Sequence, residues 1–278
     1  MADKVMIIDG NSLGKASYGA GLNFSTKSGL RTGVPFLFLR TYKMLLKEEQ
    51  PKYTFITWDS WPTWRNQVLM TYKASRTRTE GYSEQREILQ NFLLVMGKNA
   101  QIWAEHNEAD DIAADIIREN PTKEFLLVTE DSDWFQFVGD NVTIYRHKKK
   151  DYVTKANFLK TTGYLDPDEL VEVKSLLGDS TDEVPGLNGI NKETCIQFIR
   201  GKLNPCPEKE RMEEYQKTDG YKRMRSIIEL RATNIPKSLL TIKKGIWTPS
   251  EFIFMAEKAE FKSFIKDMEN WRKLMEIQ

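Results

Sequence analysis

An α/β fold with a mainly parallel central sheet flanked by helices is what this sequence predicts, on three observations. Short apolar runs of strand length alternate with longer segments whose apolar residues recur every three or four positions. That alternation of strands with helices is the sign of parallel pairing. Three of the strand-like runs end at once in an aspartate: Asp9, Asp59 and Asp131. In such sheets ligands gather beyond the carboxyl ends of the strands, so the fold itself brings these acids to one edge.

The elements follow in order. Val5-Met6-Ile7-Ile8 reads as a short buried strand leading into Asp9-Gly10-Asn11-Ser12, and the run containing Val34, Phe36, Leu37, Leu39, Met44 and Leu45 reads as a helix. Tyr53-Thr54-Phe55-Ile56-Thr57-Trp58 is a second strand, followed by helical segments around 84–97 and a weaker strand at Gln101-Ile102-Trp103-Ala104. A helix starts in the acids Glu108, Asp110 and Asp111, with Ile112, Ile116 and Ile117 at helical spacing behind them, and Phe125-Leu126-Leu127-Val128 is the next strand. Val142-Thr143-Ile144-Tyr145 and Tyr152-Val153-Thr154 flank the basic run Arg146-His147-Lys148-Lys149-Lys150, as in a hairpin or a charge-protected strand edge.

From about Tyr164 the chain reads as mostly helical, with a break between two helical runs from Gly178 to Ile190. Gly186 and Gly189 permit a tight turn whose backbone N–H groups can face an anion at the next helix start. Asp179 and Asp182, three apart, could share a helix face. Phe261, Phe264, Ile265 and Trp271 recur at helical spacing and are expected in the core.

Composition narrows the function. The chain of 278 residues is 40% apolar, enough for a substantial core, and no apolar run approaches the length that spans a bilayer. Met-Ala-Asp-Lys followed directly by a strand leaves no room for a secretory signal, so a cytoplasmic protein is expected; it is also expected to be a monomer. Cys195 and Cys206 lack neighbours at metal-ligand spacing and are expected as free thiols. Two histidines, His106 and His147, argue against histidine-based metal or hydrolase chemistry.

A net charge of +1 conceals strong local asymmetry. Residues 108–140 hold ten acidic and two basic side chains, whereas 62–79 hold Arg65, Lys73, Arg76 and Arg78 with no acid. Acids at a helix start are ordinary caps and aspartate after a strand is an ordinary turn former. Together they suggest oxygen ligands for hard divalent cations, between basic flanks that suit a polyanion. The aromatic and basic residues of 61–78 fit single-stranded nucleic acid, or equally a surface helix with packed rings.

The ordered series Ile8-Asp9-Gly10-Asn11-Ser12, Asp59, Tyr72-Lys73-Ala74-Ser75-Arg76, Glu108-Ala109-Asp110-Asp111, Thr129-Glu130-Asp131-Ser132-Asp133 and Gly178-Asp179-Ser180-Thr181-Asp182 through Gly189 resembles the 5′ nuclease family. That family includes flap endonucleases, bacteriophage 5′-exonucleases and the nuclease domain of bacterial family-A DNA polymerases. The likeness runs over residues 7–199. It implies a PIN-like nuclease domain over 1–163, with an arch or clamp within 60–107. A helical DNA-binding subdomain is implied over 164–278, with a helix-turn-helix grip near 179–199.

It also implies a structure-specific 5′-3′ exonuclease or flap endonuclease of replication and repair, in a bacterial cell or a phage-infected host. The implied substrates are DNA with 5′ ends, flaps or branches, or an RNA–DNA hybrid. Asp9, Asp59, Glu108, Asp110, Asp111, Asp131, Asp133, Asp179 and Asp182 would hold two or more Mg2+ ions, for which Mn2+ can substitute. Lys73 and Arg76 would act on the phosphate beside Asp131 and Asp133 at the catalytic centre, and Tyr72 would stack on a nucleotide. Arg78, Gly186, Gly189 and Lys192 would complete the DNA contacts, with K+ at the turn. Glu130 stands where many relatives have glycine, and Asn191-Lys192-Glu193-Thr194 replaces a commoner Gly-x-Lys-Thr. The alternatives are a PIN-class ribonuclease and a branched-DNA binder that does not cut; the full set of nine acids argues against the second.

Overall fold

The computed structural model describes residues 3–77, 79–232 and 234–276. Among them seven strands form one sheet: β1 (Lys4–Asp9), β2 (Tyr53–Thr57), β3 (Ala100–Ala104), β4 (Glu124–Val128), β5 (Val142–Arg146), β6 (Asp151–Val153) and β7 (Leu240–Lys244). Their order is β6-β5-β4-β1-β2-β3-β7, parallel except for the two outermost pairs, β5–β6 and β3–β7. The chain builds β1, β2 and β3 outward on one side, then returns to place β4 and β5 on the other. The reversal falls between β1 and β4, the position where open α/β sheets bind ligands.

The central strands are apolar on both faces because helices cover both. Met6, Ile8, Ile56, Leu126 and Val128 pack with the helices Gly33–Glu49 and Tyr82–Leu94. Val5, Ile7, Phe125 and Leu127 point the other way, onto the helices Ala109–Glu119 and Pro167–Leu177. Ile8 lies level with Ile56 and Val128, so the strands end together and the residues after them share an edge.

The helix Gly10–Ala20 was not legible in the sequence, since GNSLGKASYGA is poor in apolar spacing. Its glycines answer to packing: a Cβ on Gly10 would lie 2.6 Å from the Trp58 ring, and one on Gly14 2.4 Å from the Tyr82 hydroxyl. The reading of the chain past 164 as mostly helical has an exception. β7 adds an edge strand there, and Phe252, Phe261, Phe264 and Trp271 join the core on the Met6–Ile8 side of the sheet. β7 has four exposed residues of five, so neither of its faces carries an apolar signal. No helix among the described residues is long and apolar enough to cross a membrane.

Candidate active site

The carboxyl edge at β1 and β4 gathers the strand-end acids. Asp9 caps the helix Gly10–Ala20 by accepting the Ser12 N–H at 2.8 Å, and its other oxygen accepts the Thr129 hydroxyl at 2.9 Å. Burial, then the neighbouring charges of Asp59 and Asp131, push its pKa up to about 7. Asp59 is exposed and accepts the Ala109 N–H at 2.9 Å, which fastens β2's end to the next helix start. Asp131 is exposed and caps the short turn Ser132–Phe137 through the Asp133 N–H at 2.9 Å.

Asp110 reaches this group from the helix Ala109–Glu119, held by the Trp134 indole N–H at 2.6 Å. Burial and the charges of Asp131 and Glu108 hold its pKa well above the usual carboxylate range. Asp133 is raised for the same reason, by burial and by Asp131. Its ion pair is with Lys174, whose ammonium also meets Asp179 at 2.7 Å. Burial opposes the ionisation of Asp179 too, but Lys174 outweighs it and holds that carboxyl low.

Glu108 and Asp111, expected among the metal ligands, have other partners. Asp111 is fully buried, and Arg65, itself only 1% exposed, binds both its oxygens at 2.8 Å. The Asp111 carboxylate also accepts the Glu108 N–H at 2.9 Å, closing the helix start as a capping box. Its assignment as a ligand is therefore corrected: it is the counter-ion of a buried arginine. Burial works against the charge on Arg65, and Asp111 and Glu108 more than restore it. Glu108 accepts from Tyr72 at 2.7 Å, Lys73 at 2.5 Å and Arg65 at 3.2 Å.

Two readings of the 60–107 stretch change as well. Tyr72 is 3% exposed with its hydroxyl spent on Glu108, so it cannot stack on a base as expected. The exposed ring of this stretch is Trp61, whose loop is fixed by the Ser60 N–H on the Asn107 carbonyl and the Trp64 N–H on the His106 carbonyl. Nor does a free-standing helical arch occur among the described residues. The helix Tyr82–Leu94 lies on the sheet because Leu89, Phe92 and Leu93 are apolar and buried. Arg78 lies outside the described residues.

Asp179 and Asp182 do not share a helix face; they sit in a turn closed by paired backbone bonds between Asp179 and Val184. That turn is stitched to the Lys73–Arg76 segment. Arg76 meets Asp182 at 2.6 Å, Lys73 meets it at 3.5 Å, and Glu183 accepts both the Ser75 N–H at 2.8 Å and the Ser75 hydroxyl at 2.5 Å. A tight turn and the helix Lys192–Ile199 follow, with Asn191 as cap. Gly189 has φ +75° at the turn, whereas Gly186 is there for packing: a Cβ would lie 2.0 Å from the Leu177 carbonyl carbon. Lys192 lies 3.9 Å over the Tyr164 ring at that helix start. Arg211 donates to the Asn188 carbonyl at 2.7 Å and brings positive charge to this turn.

Hard oxygen donors whose proton affinity is raised by mutual repulsion fit divalent cations. Among the described residues no three acidic side chains are close enough to hold one ion as they stand, and the ammonium groups of Lys73 and Lys174 lie between them. Lys174, Arg65 and Trp134 were missed as parts of the site. Lys174 had one signal, a lone cation in the apolar run Leu170-Val171-Glu172-Val173-Lys174-Ser175-Leu176-Leu177.

A family model described as the 5′-3′ exonuclease N-terminal, resolvase-like domain matches residues 4–163. The 5′-3′ exonuclease of Mycoplasmopsis pulmonis is 30% identical over 200 residues, covering 69% of this chain and 64% of that protein. DNA polymerase I of Synechocystis is 28% identical over 219 residues, covering 70% of this chain and 22% of the polymerase. The chain thus spans less than two thirds of the length of these relatives. The fold is that of the T5 D15 protein co-crystallised with metal ions (TM-score 0.70, 18% identity, 98% of each chain). It is also that of flap endonuclease-1 from Methanococcus jannaschii (TM-score 0.63, 15% identity, 99% of this chain and 92% of that one). With the acidic edge at the sheet's reversal point and the family match over most of the sheet, this chain belongs to the 5′-3′ exonuclease family.

Proposed function

We propose that this chain is a structure-specific 5′-3′ exonuclease and flap endonuclease that hydrolyses DNA phosphodiesters with divalent metal ions, Mg2+ in the cell. The observation that carries this is the joining of two walls: the strand-end acids, and the Asp179–Glu183 turn that ties down Lys73 and Arg76. Asp9, Asp59, Asp110, Asp131, Asp133, Asp179 and Asp182 are the residues that would hold the ions, with Glu108 at their margin. Bound divalent ions supply an activated water and shield the phosphate charge.

The chain's own residues do the rest. Asp9 and Thr129 fix the β1 and β4 ends against each other, and Trp134 aims Asp110. Lys73, held at the centre by Glu108 and Asp182, carries the positive charge that meets the scissile phosphate. Arg76 guides the incoming strand, and Trp61 offers the base-stacking ring. The turn at 186–192 holds the duplex by its backbone without reading bases. The DNA grip occupies 167–228, and 237–276 belongs with the nuclease layer.

The test uses 5′-labelled flap, nicked duplex, gapped duplex, RNA–DNA hybrid and single-stranded RNA, each with Mg2+ and with EDTA. Mg2+-dependent cutting of the flap and nicked duplex is the expected result. Binding without cutting would show a branched-DNA binder, and cutting of RNA alone a ribonuclease.

A further inference from the structure

The two edges of the sheet are finished differently. β6 is three residues long; its Tyr152 carbonyl accepts the Asn157 amide at 2.8 Å, and the Tyr152 hydroxyl donates to Glu49 at 2.5 Å. β7 is five residues long, and among the described residues no side chain closes its outer side in that way. We propose that the open edge of β7 is a docking site for an extended acidic segment of a partner protein, which adds to the sheet as a further strand.

The register shows which main-chain groups are free. The Gly245 N–H donates to the Asn99 carbonyl at 2.9 Å and the Glu105 N–H to the Leu239 carbonyl at 3.0 Å. In the antiparallel β3–β7 ladder the odd-numbered residues of β7 therefore turn their main chain toward β3. Leu240, Ile242 and Lys244 alternate with them and face outward. The Leu240 N–H is spent on the Lys237 carbonyl. Among the described residues the main-chain N–H and C=O of Ile242 and Lys244 have no partner. An extended chain can pair with such a row.

The side chains say which kind of chain. Ile242 lies directly across from Ile102 and carries the apolar row of Ile112 and Ile102 out into solvent, where it is 53% exposed. Ile246, just past the strand, is 70% exposed. Lys243 and Lys244 are exposed as well, and Lys243 lies 5.5 Å over the Trp103 ring. Among the described residues neither ammonium has a carboxylate partner. Lysines on an edge repel a second copy of the same strand, because like charges come together. They favour a strand with an apolar residue against Ile242 and carboxylates against the lysines.

Position separates this surface from the acidic edge. Leu240 is level with Ala104 at the carboxyl end of β3, and Lys244 is level with Ala100 at the other end. At about 3.3 Å per residue, Lys243 and Lys244 stand roughly 10–13 Å below the edge that gathers the acids. The nuclease reading makes no use of them, and the proposal does not depend on it.

The probe is a fluorescein-labelled peptide, Thr-Glu-Glu-Val-Glu-Glu-Thr. It reads the same in both directions, so it sets valine against Ile242 and glutamates against both lysines whichever way it runs. Binding is followed by fluorescence anisotropy at low salt without divalent ions, and the wild-type chain is expected to bind. Methylating the peptide's main-chain nitrogens is expected to weaken binding on the order of tenfold, because pairing is lost while the charges stay. Ile242→Pro is expected to weaken it similarly; that N–H faces solvent, so the β3–β7 ladder keeps its bonds.

Replacing Lys243 and Lys244 together by glutamate touches two exposed side chains and tests the charge with the backbone intact. This variant is expected to lose the acidic peptide and to bind Thr-Lys-Lys-Val-Lys-Lys-Thr instead. Three results overturn the proposal: no binding of the acidic peptide by the wild-type chain, equal binding of its methylated form, or unchanged preference in the glutamate variant. Oligo(dT) bound in place of the peptide, and lost in the same variant, would make β7 a nucleic-acid contact and overturns it as well.

Discussion

Asp110 and Asp111 are the same residue, adjacent on the same helix, and the fold treats them oppositely. Asp110 points into the acidic edge, where burial and the charges of Asp131 and Glu108 raise its proton affinity. Asp111, one step or about 100° around the helix, turns inward and is neutralised by the two terminal nitrogens of Arg65. One carboxylate has charge in excess and the other has it fully matched. What separates a self-repelling carboxylate from one in an ion pair is which face of the first helical turn it occupies.

The largest expected effects break that comparison directly. Asp110→Asn is expected to lower the single-turnover cleavage rate by at least the roughly 10–100-fold that loss of a group supporting a metal ligand costs, while thermal stability holds or rises because repulsion is relieved. Asp111→Asn is expected to reverse the pattern: about 3–5 kcal/mol of stability lost in urea unfolding, because Arg65 is left buried without its partner. Equal effects of the two variants on rate and stability would dissolve the distinction.

Lys73→Ala comes next. Positioned charge at a developing anion contributes about 10²–10³ in rate, so the saturated single-turnover rate is expected to fall by that factor with much less change in the dissociation constant. A wild-type rate at saturation, with only weaker binding, would make Lys73 an ordinary contact.

The third effect sharpens the contrast through pH. Asp9 has a native pKa of about 7 against an ordinary value near 4, so between those values the fold keeps a proton that the unfolded chain has lost. Stability of the metal-free protein therefore falls as pH rises through that window, then levels off. Asp110 and Asp133 are shifted in the same direction. Adding Mg2+ is expected to raise the melting temperature more at about pH 8 than at about pH 5.5, since protons and metal compete for the same oxygens. A melting temperature that rises with pH in EDTA across this window would refute the assignment of these acids as a self-repelling group.

Arg76→Ala gives the smallest effect. Its pair with Asp182 is on the exposed side of the site, so at most about 1 kcal/mol of stability is expected to be lost, with a modest weakening of DNA binding.

The sheet was legible because its central strands are continuous apolar runs ended by acids, a pattern that buried parallel strands impose. β7 was not, because an exposed edge strand has no face to mark. The helix Gly10–Ala20 was hidden by glycines that serve Trp58 and Tyr82 rather than the helix itself. In the site, the strand-end acids could be read from spacing alone. The fate of Asp111 depended on Arg65, 46 positions away, and that of Tyr72 on the small core of Val184, Met224, Ile227 and Ile228 against which its ring is buried. Those are pairings of distant segments, and linear spacing does not encode them.

The stitching of the Lys73–Arg76 segment to Asp182 and Glu183 also sets when during synthesis the site can exist. At about 5–20 residues per second, a ribosome releases Asp9, Asp59, Asp110 and Asp131 seconds before Lys174 and Asp182 are made. Until then Lys73 and Arg76 have no wall to hold them, and Asp133 has no ammonium beside it. A nascent chain halted near residue 163 would carry most of the acids but lack Lys174, Asp179 and Asp182. Assembly of the two walls therefore waits until the polypeptide has passed Asp182 and Glu183.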